Sequence, residues 1–138
     1  MIHRLYVDES GDHTYHSFVD LLVKKGGTSE MAKWLLVVES SCADGAREAE
    51  FNEWYDKIHI PDVFETSGFI RTNRYENTEL GEGKGKFLAT YEIETDDIDA
   101  VMKTHQDNMA KKSTEGRFSE LLVLTSRVLY RQLSSISK

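Results

Sequence analysis

Glu50 to Tyr75 reads EFNEWYDKIHIPDVFETSGFIRTNRY, and this stretch decides how the chain folds. Phe51, Trp54, Tyr55 and Ile58 recur at the i, i+3, i+4, i+7 spacing that lines one face of a helix. Pro61 brings no amide hydrogen and pushes Ile60 away from helical angles, so the helix is predicted to run from about Ala46 to His59, followed by a turn. That places His59 in the last turn, beside two large aromatics and a turn that carries Asp62. Beyond Gly68, residues 69–76 alternate as a strand. Phe69, Arg71, Asn73 and Tyr75 fall on one face, and Ile70, Thr72 and Arg74 on the other.

Working outward, residues 34–40 form a continuous apolar run with β-branched content, a strand buried on both faces. Asp44 is placed to cap the first helix, with Glu48 and Glu50 near its positive end. A glycine-rich connection, NTELGEGKG, leads to a strand over residues 86–94, with Phe87, Ala89, Tyr91 and Ile93 on one face. Asp96, Asp97 and Asp99 open a second helix whose buried face is Ile98, Val101, Met102, His105 and Met109. A last strand covers residues 121–133. The order strand, helix, strand, strand, helix, strand is the α+β ferredoxin-like pattern, βαββαβ, a four-stranded antiparallel sheet with both helices on one side. The first and last strands are apolar on both faces, yet two helices cover only one. A face-to-face homodimer is expected to cover the other.

A chain of 138 residues holds one core. The compact module is predicted at residues 31–138. Residues 1–30 read as an N-terminal extension, partly disordered, joined by Gly26-Gly27-Thr28-Ser29. Within it VDESGDH resembles the opening strand of RNase-H-like domains whose aspartate binds metal, but the chain lacks the later acidic strands of such a domain. A net charge of −7 offers no basis for a nucleic-acid partner. No apolar run reaches the roughly 18 to 20 residues of a membrane span, and no signal peptide is evident, so a cytoplasmic location is expected. Cys42 is the only cysteine, which excludes an intrachain disulfide and a cysteine-rich zinc site. GEGKG lacks the following Ser or Thr and the helix of a phosphate loop. The aspartates at 96, 97 and 99 are accounted for by capping and the helix dipole. No metal or cofactor is expected.

The run Trp54, Tyr55, Asp56, His59, Ile60, Pro61, Asp62, followed by Ser67, Gly68 and Phe69, resembles the signature of EthD-like proteins in the dimeric α/β-barrel superfamily. The resemblance implies the ferredoxin-like dimeric barrel. It does not imply one reaction, because the superfamily includes monooxygenases, cyclases, isomerases and dehydratases.

His59 is the leading candidate. Its imidazole titrates near neutrality and suits proton transfer beside an apolar cavity; alternatively it caps the helix end and fixes the turn. Asp62 either orients His59 or a substrate group, or stands as a solvated turn residue. Arg71 and Arg74 lie on opposite faces, so at most one points into a cavity. Phe69 and Tyr75 form the larger apolar group of their strand, so their face is placed toward the core, with Arg71 and Asn73 as polar contacts for a ligand; otherwise Arg74 points inward. Tyr75 and Tyr91, across neighbouring strands, are candidate donors to an enolate-like oxygen. Phe51, Trp54, Tyr55 and Phe64 form the apolar wall, and His105 lies on the buried face of the second helix. Two functions follow. One is a cofactor-independent lyase, isomerase or cyclase acting by proton transfer on a small aromatic, polyketide-like or terpenoid-like molecule, with an oxygen-using variant less supported. The other is a non-catalytic homodimer that binds a hydrophobic metabolite.

Overall fold

Strict alternation in the two central strands builds the sheet. In the computed structural model, which describes residues 31–138, strand β1 (Ala32–Cys42) buries Trp34, Leu36, Val38 and Ser40, while strand β3 (Phe87–Thr95) buries Phe87, Ala89, Tyr91 and Ile93. These residues lie opposite one another in antiparallel register, Leu36 with Tyr91 and Val38 with Ala89. Strand β2 (Phe69–Glu76) pairs with β3, and β4 (Leu122–Arg131) with β1, giving the order β2-β3-β1-β4. The proposed extension over residues 1–30, with its linker and VDESGDH, lies outside the described residues.

Both edge strands carry a bulge. In β2, Phe69 pairs with Ile93 and Arg71 with Glu92, so Ile70 is the extra residue. In β4, Ser126 faces Glu39 and Leu124 faces Ser40, so Thr125 is extra. A one-residue slip exchanges the two faces of a strand. The expected alternation in β2 is therefore reversed beyond Phe69: Thr72 and Arg74 face the helices opposite Tyr91 and Ala89. Arg71, Asn73 and Tyr75 stand exposed on the far face. At the β4 bulge the chain also packs closely, since a Cβ on the buried Gly85 would come within 2.5 Å of Thr125 Oγ1 and 2.9 Å of the Ser40 backbone.

The first helical segment is longer than expected. A 3₁₀ turn (Gly45–Arg47), capped by Asp44 Oδ1 accepting from the Ala46 amide at 3.0 Å, leads into helix α1 (Glu48–Trp54). It continues as a π turn (Tyr55–His59) and then as a short helix α2 (Ile60–Val63). The prediction that Pro61 ends the helix near His59 is thus corrected. The π turn, in which the Ile60 amide reaches back five residues to the Tyr55 carbonyl, shifts the hydrogen-bond register by one residue. The missing amide of Pro61 then falls at the start of α2, where proline is tolerated. Helix α3 (Ile98–Thr114), capped by Asp97, buries Ile98, Met102 and His105, with Val101 and Met109 partly buried.

These helices cover one face of the sheet, the ferredoxin-like arrangement. The opposite face is mixed: Leu35, Val37 and Leu88, half-buried, and Val123, Val128, Tyr130 and Tyr75, exposed, stand among Lys33, Glu39, Arg71, Asn73, Thr90, Glu92 and Glu94.

Candidate functional site

The π turn turns one ring cluster toward the sheet. Phe51, at 0% exposure, meets Trp54, Tyr55 and Phe87 at ring separations of 6.0, 5.7 and 5.6 Å. His59 stacks on Trp54 at 5.0 Å and 21°, meets Tyr55 edge-on at 5.0 Å, and is closed from the third side by Phe118 at 5.4 Å. Trp54 is itself pinned by Nε1 donating to the Arg117 carbonyl at 2.9 Å. Trp54 and Phe118 are also walls of an open hollow of about 560 Å³, whose rim carries Arg47, Glu50, Glu53, Lys57 and Glu120. His59 therefore lies one aromatic layer behind that hollow.

The expected near-neutral titration of His59 is not what this cage produces. Burial lowers its pKa to about 4, partly offset by the charge of Asp62 and reinforced by Arg127 and Arg74. The imidazole is neutral at pH 7, and among the described residues neither ring nitrogen takes a hydrogen bond. It makes no side-chain cap at a helix end.

Two of the expectations for Asp62 are corrected. It is neither solvated nor bonded to His59. At 4% exposure it accepts from Arg117 Nε at 2.7 Å and Arg117 Nη2 at 3.0 Å, with Lys112 Nζ at 3.9 Å. Hydrogen bonding from Arg117 holds its carboxyl below the usual range. The pair ties α2 to the segment after α3. Arg117→Met, which keeps the apolar stem, is expected to cost about 2 kcal/mol in urea unfolding. The loss stays below that of a fully dry pair because Arg117 is partly exposed and Lys112 remains nearby. A change under about 0.5 kcal/mol would mean that solvent already screens the pair.

On the sheet floor, Tyr91 Oη donates to Tyr55 Oη at 3.4 Å, and burial pushes both hydroxyls' pKa values up, so both stay protonated. Arg74, which the expected alternation left on the other face, lies inside. Its guanidinium stacks 4.3 Å over the Tyr55 ring and donates to Asp56 Oδ1 at 3.1 Å and Asn52 Oδ1 at 2.7 Å. Arg127, which faces Val38 on the helix side of β4, is the second cation there. Arg74 is the alternative that follows once Tyr75 faces away from the helices, as the bulge at Ile70 makes it do, whereas Arg127 carries no signal in the sequence. His105 is buried against Phe69 at 5.0 Å, its Nδ1 has no partner among the described residues, and burial lowers its pKa to about 3.

The cluster thus unites His59, Trp54, Tyr55, Phe51, Tyr91 and His105. It excludes Phe64, which is 40% exposed beyond α2. It also excludes Arg71, Asn73 and Tyr75 on the far face. Tyr75 and Tyr91 do not meet, since Tyr75 is opposite Leu88 and Tyr91 opposite Thr72. Among the described residues no group of His, Cys, Asp and Glu converges as a metal site, and no helix is long and apolar enough to cross a membrane.

Residues 36–132 match a family model described as Domain of unknown function (DUF4286). No curated protein matches the chain. Among solved structures, HapK from Hahella chejuensis is similar with a TM-score of 0.59 and 12% identity over 76% of this chain and 97% of that one. A candidate monooxygenase from Shewanella loihica PV-4 is similar with a TM-score of 0.53 and 16% identity over 76% and 98%. An EthD-family protein from Bacillus halodurans C-125 also aligns, with a TM-score of 0.47 and 19% identity over 75% and 100%. The first two share the ferredoxin-like fold with this chain.

Proposed function

The chain belongs to the family described as Domain of unknown function (DUF4286), and on that premise we propose that it is a cofactor-independent enzyme acting by proton transfer on a small hydrophobic molecule. Cyclisation, isomerisation and dehydration are the reactions this would serve, on an aromatic, polyketide-like or terpenoid-like substrate. One observation carries the reading: a neutral imidazole, with no hydrogen bond at either nitrogen among the described residues, is enclosed by Trp54, Tyr55 and Phe118. An imidazole of lowered pKa is an available acceptor that then returns its proton as an acid. The flat walls favour a flat apolar partner, and the Tyr55 and Tyr91 hydroxyls are donors for an oxyanion. Asp62, committed to Arg117, takes no direct part.

The exposed apolar side chains on the far face, Val123, Val128, Tyr130 and Tyr75, support pairing with a second copy. Arg71, Asn73 and Tyr75 would then line the space between two sheets and meet a ligand only there. A second reading, a non-catalytic homodimer that binds a hydrophobic metabolite, is favoured because among the described residues only ring contacts, and no hydrogen bond, orient the His59 imidazole.

The test is a thermal-shift screen of a metabolite library on the wild type and on His59→Ala, with turnover measured on every hit. A hit that stabilises both proteins but is converted only by the wild type supports catalysis. Hits converted equally by both would remove His59 from the chemistry, and hits converted by neither would favour the binding protein. A lone protomer at micromolar concentration in sedimentation would overturn the pairing.

A further inference from the structure

The connection between α3 and β4 carries one of the rings around His59 and anchors another. Gly116, at φ 75°, ends α3 in the left-handed region, and the Arg117 amide donates back to the Lys112 carbonyl at 3.0 Å. This turn brings the Arg117 and Lys112 cations to the same carboxylate, Asp62 of α2. Three contacts then meet at Arg117 and the residue after it. The guanidinium donates to Asp62 through two nitrogens, at 2.7 and 3.0 Å. The Arg117 carbonyl accepts from Trp54 Nε1 at 2.9 Å. Phe118 lies 5.4 Å from the His59 ring and 6.2 Å from Trp54, which itself stacks on His59 at 5.0 Å.

We infer that Arg117 is a positioning residue for His59: its ion pair with Asp62 fixes the main chain that holds Trp54 by its indole nitrogen and sets Phe118 against the imidazole. Ring contacts orient a side chain only weakly, whereas a two-pronged guanidinium–carboxylate pair is directional. The Asp62 end of the pair is 4% exposed, so this carboxylate is held out of water with Arg117 as its hydrogen-bonded partner. Trp54 and Phe118 also wall the open hollow, so the same two rings govern how much water reaches His59 from that side. The charges acting on the imidazole are those of Asp62, Arg127 and Arg74, and Tyr55 and His105 are the other titratable groups that interact with it. Arg117 therefore reaches His59 by two routes, through the rings and through Asp62.

The inference rests on His59 being the working group of the site proposed above, but its test needs no substrate. NMR follows the titration of His59 and the solvent exchange of the Trp54 indole hydrogen in the wild type, Arg117→Met, Arg117→Lys, Asp62→Leu and Ile98→Ala, the last a core truncation at the opposite end of α3. In Arg117→Met the indole hydrogen is expected to exchange about tenfold faster or more. His59 should there titrate at about 5 or above instead of about 4, because water reaches a loosened ring. Asp62→Leu, the same shape without the charge, separates the two routes. Loss of a nearby carboxylate alone lowers the His59 value, whereas release of the rings raises it, and a rise is expected. Arg117→Lys, which keeps the charge but not the fork, falls between wild type and Arg117→Met, and Ile98→Ala leaves both readouts at wild-type values. A lower His59 value in Asp62→Leu, or unchanged exchange in Arg117→Met, overturns the inference, as does an Ile98→Ala that moves both readouts as far. Should Arg117→Met or Asp62→Leu not fold, Arg117→Lys decides, since wild-type exchange and titration there would remove Arg117 from this role. Expected readouts in a protein that converts no substrate would defeat the catalytic reading alone.

Discussion

Phe51→Ala is expected to remove about 4 kcal/mol of folding stability. Phe51 has no exposed surface and is the one ring that touches Trp54, Tyr55 and Phe87 together. It joins the helix to the sheet floor at the level of the candidate site. Truncation loses the transfer energy of a benzyl group and leaves a void between a strand and a helix that cannot close up independently. The edge contact with Tyr55 adds roughly 0.5–1.5 kcal/mol beyond area alone. Phe51→Leu, which keeps most of the volume, should cost only about 1.5 kcal/mol. Urea unfolding followed by tryptophan fluorescence compares the two. With total stabilities of small domains near 5–15 kcal/mol, the alanine variant sits close to its unfolding midpoint in mild denaturant. A loss below about 2 kcal/mol would show that the helix collapses into the gap.

Acid is the second large perturbation. Burial lowers the pKa of His59 to about 4 and that of His105 to about 3, against about 6.5 in an unfolded chain. Between these values the unfolded state binds more protons than the folded one, so stability falls as pH falls. The contribution is complete above about pH 6.5, and it erodes down to about 4 for His59 and about 3 for His105. From pH 7 to 4.5 the two together are expected to cost on the order of 4–5 kcal/mol. Asp62 acts in the same direction but lower, because its carboxyl is held below the usual range and its contribution disappears only as pH drops through that range. Urea midpoints at pH 7.5, 6, 5 and 4.5 read the effect, and His105→Leu should remove about half of the slope. A midpoint that stays level down to pH 5 would mean that the imidazoles charge without opening the core.

What could be read from residues alone divides along the kind of signal each element gives. Strands β1 and β3 sit in the sheet centre, where every second side chain meets a helix. Their apolar parity survives intact from Trp34 to Val38 and from Phe87 to Ile93. Helix α3 is equally plain, with Asp97 capping its start and Ile98, Met102 and His105 one turn apart. Strand β2 has the right bounds, Phe69–Glu76, but the wrong faces, because its alternation carries no mark of Ile70 as an extra residue. That slip hid Arg74 and moved Tyr75 outside. Pro61 misled for a related reason: proline reports what it cannot donate, not whether the preceding turn has widened to make the loss harmless. The pairing of Asp62 with Arg117 spans 55 residues, and no local pattern announces it.

The two extra residues, Ile70 and Thr125, occupy the outermost ribbons of the sheet. A kinked margin makes a poor template for another chain's backbone, so neither border invites the runaway stacking that flat, open borders allow. The pairing proposed above would then run through the open face of the sheet, which closes after one partner, instead of along its rims, which would never close.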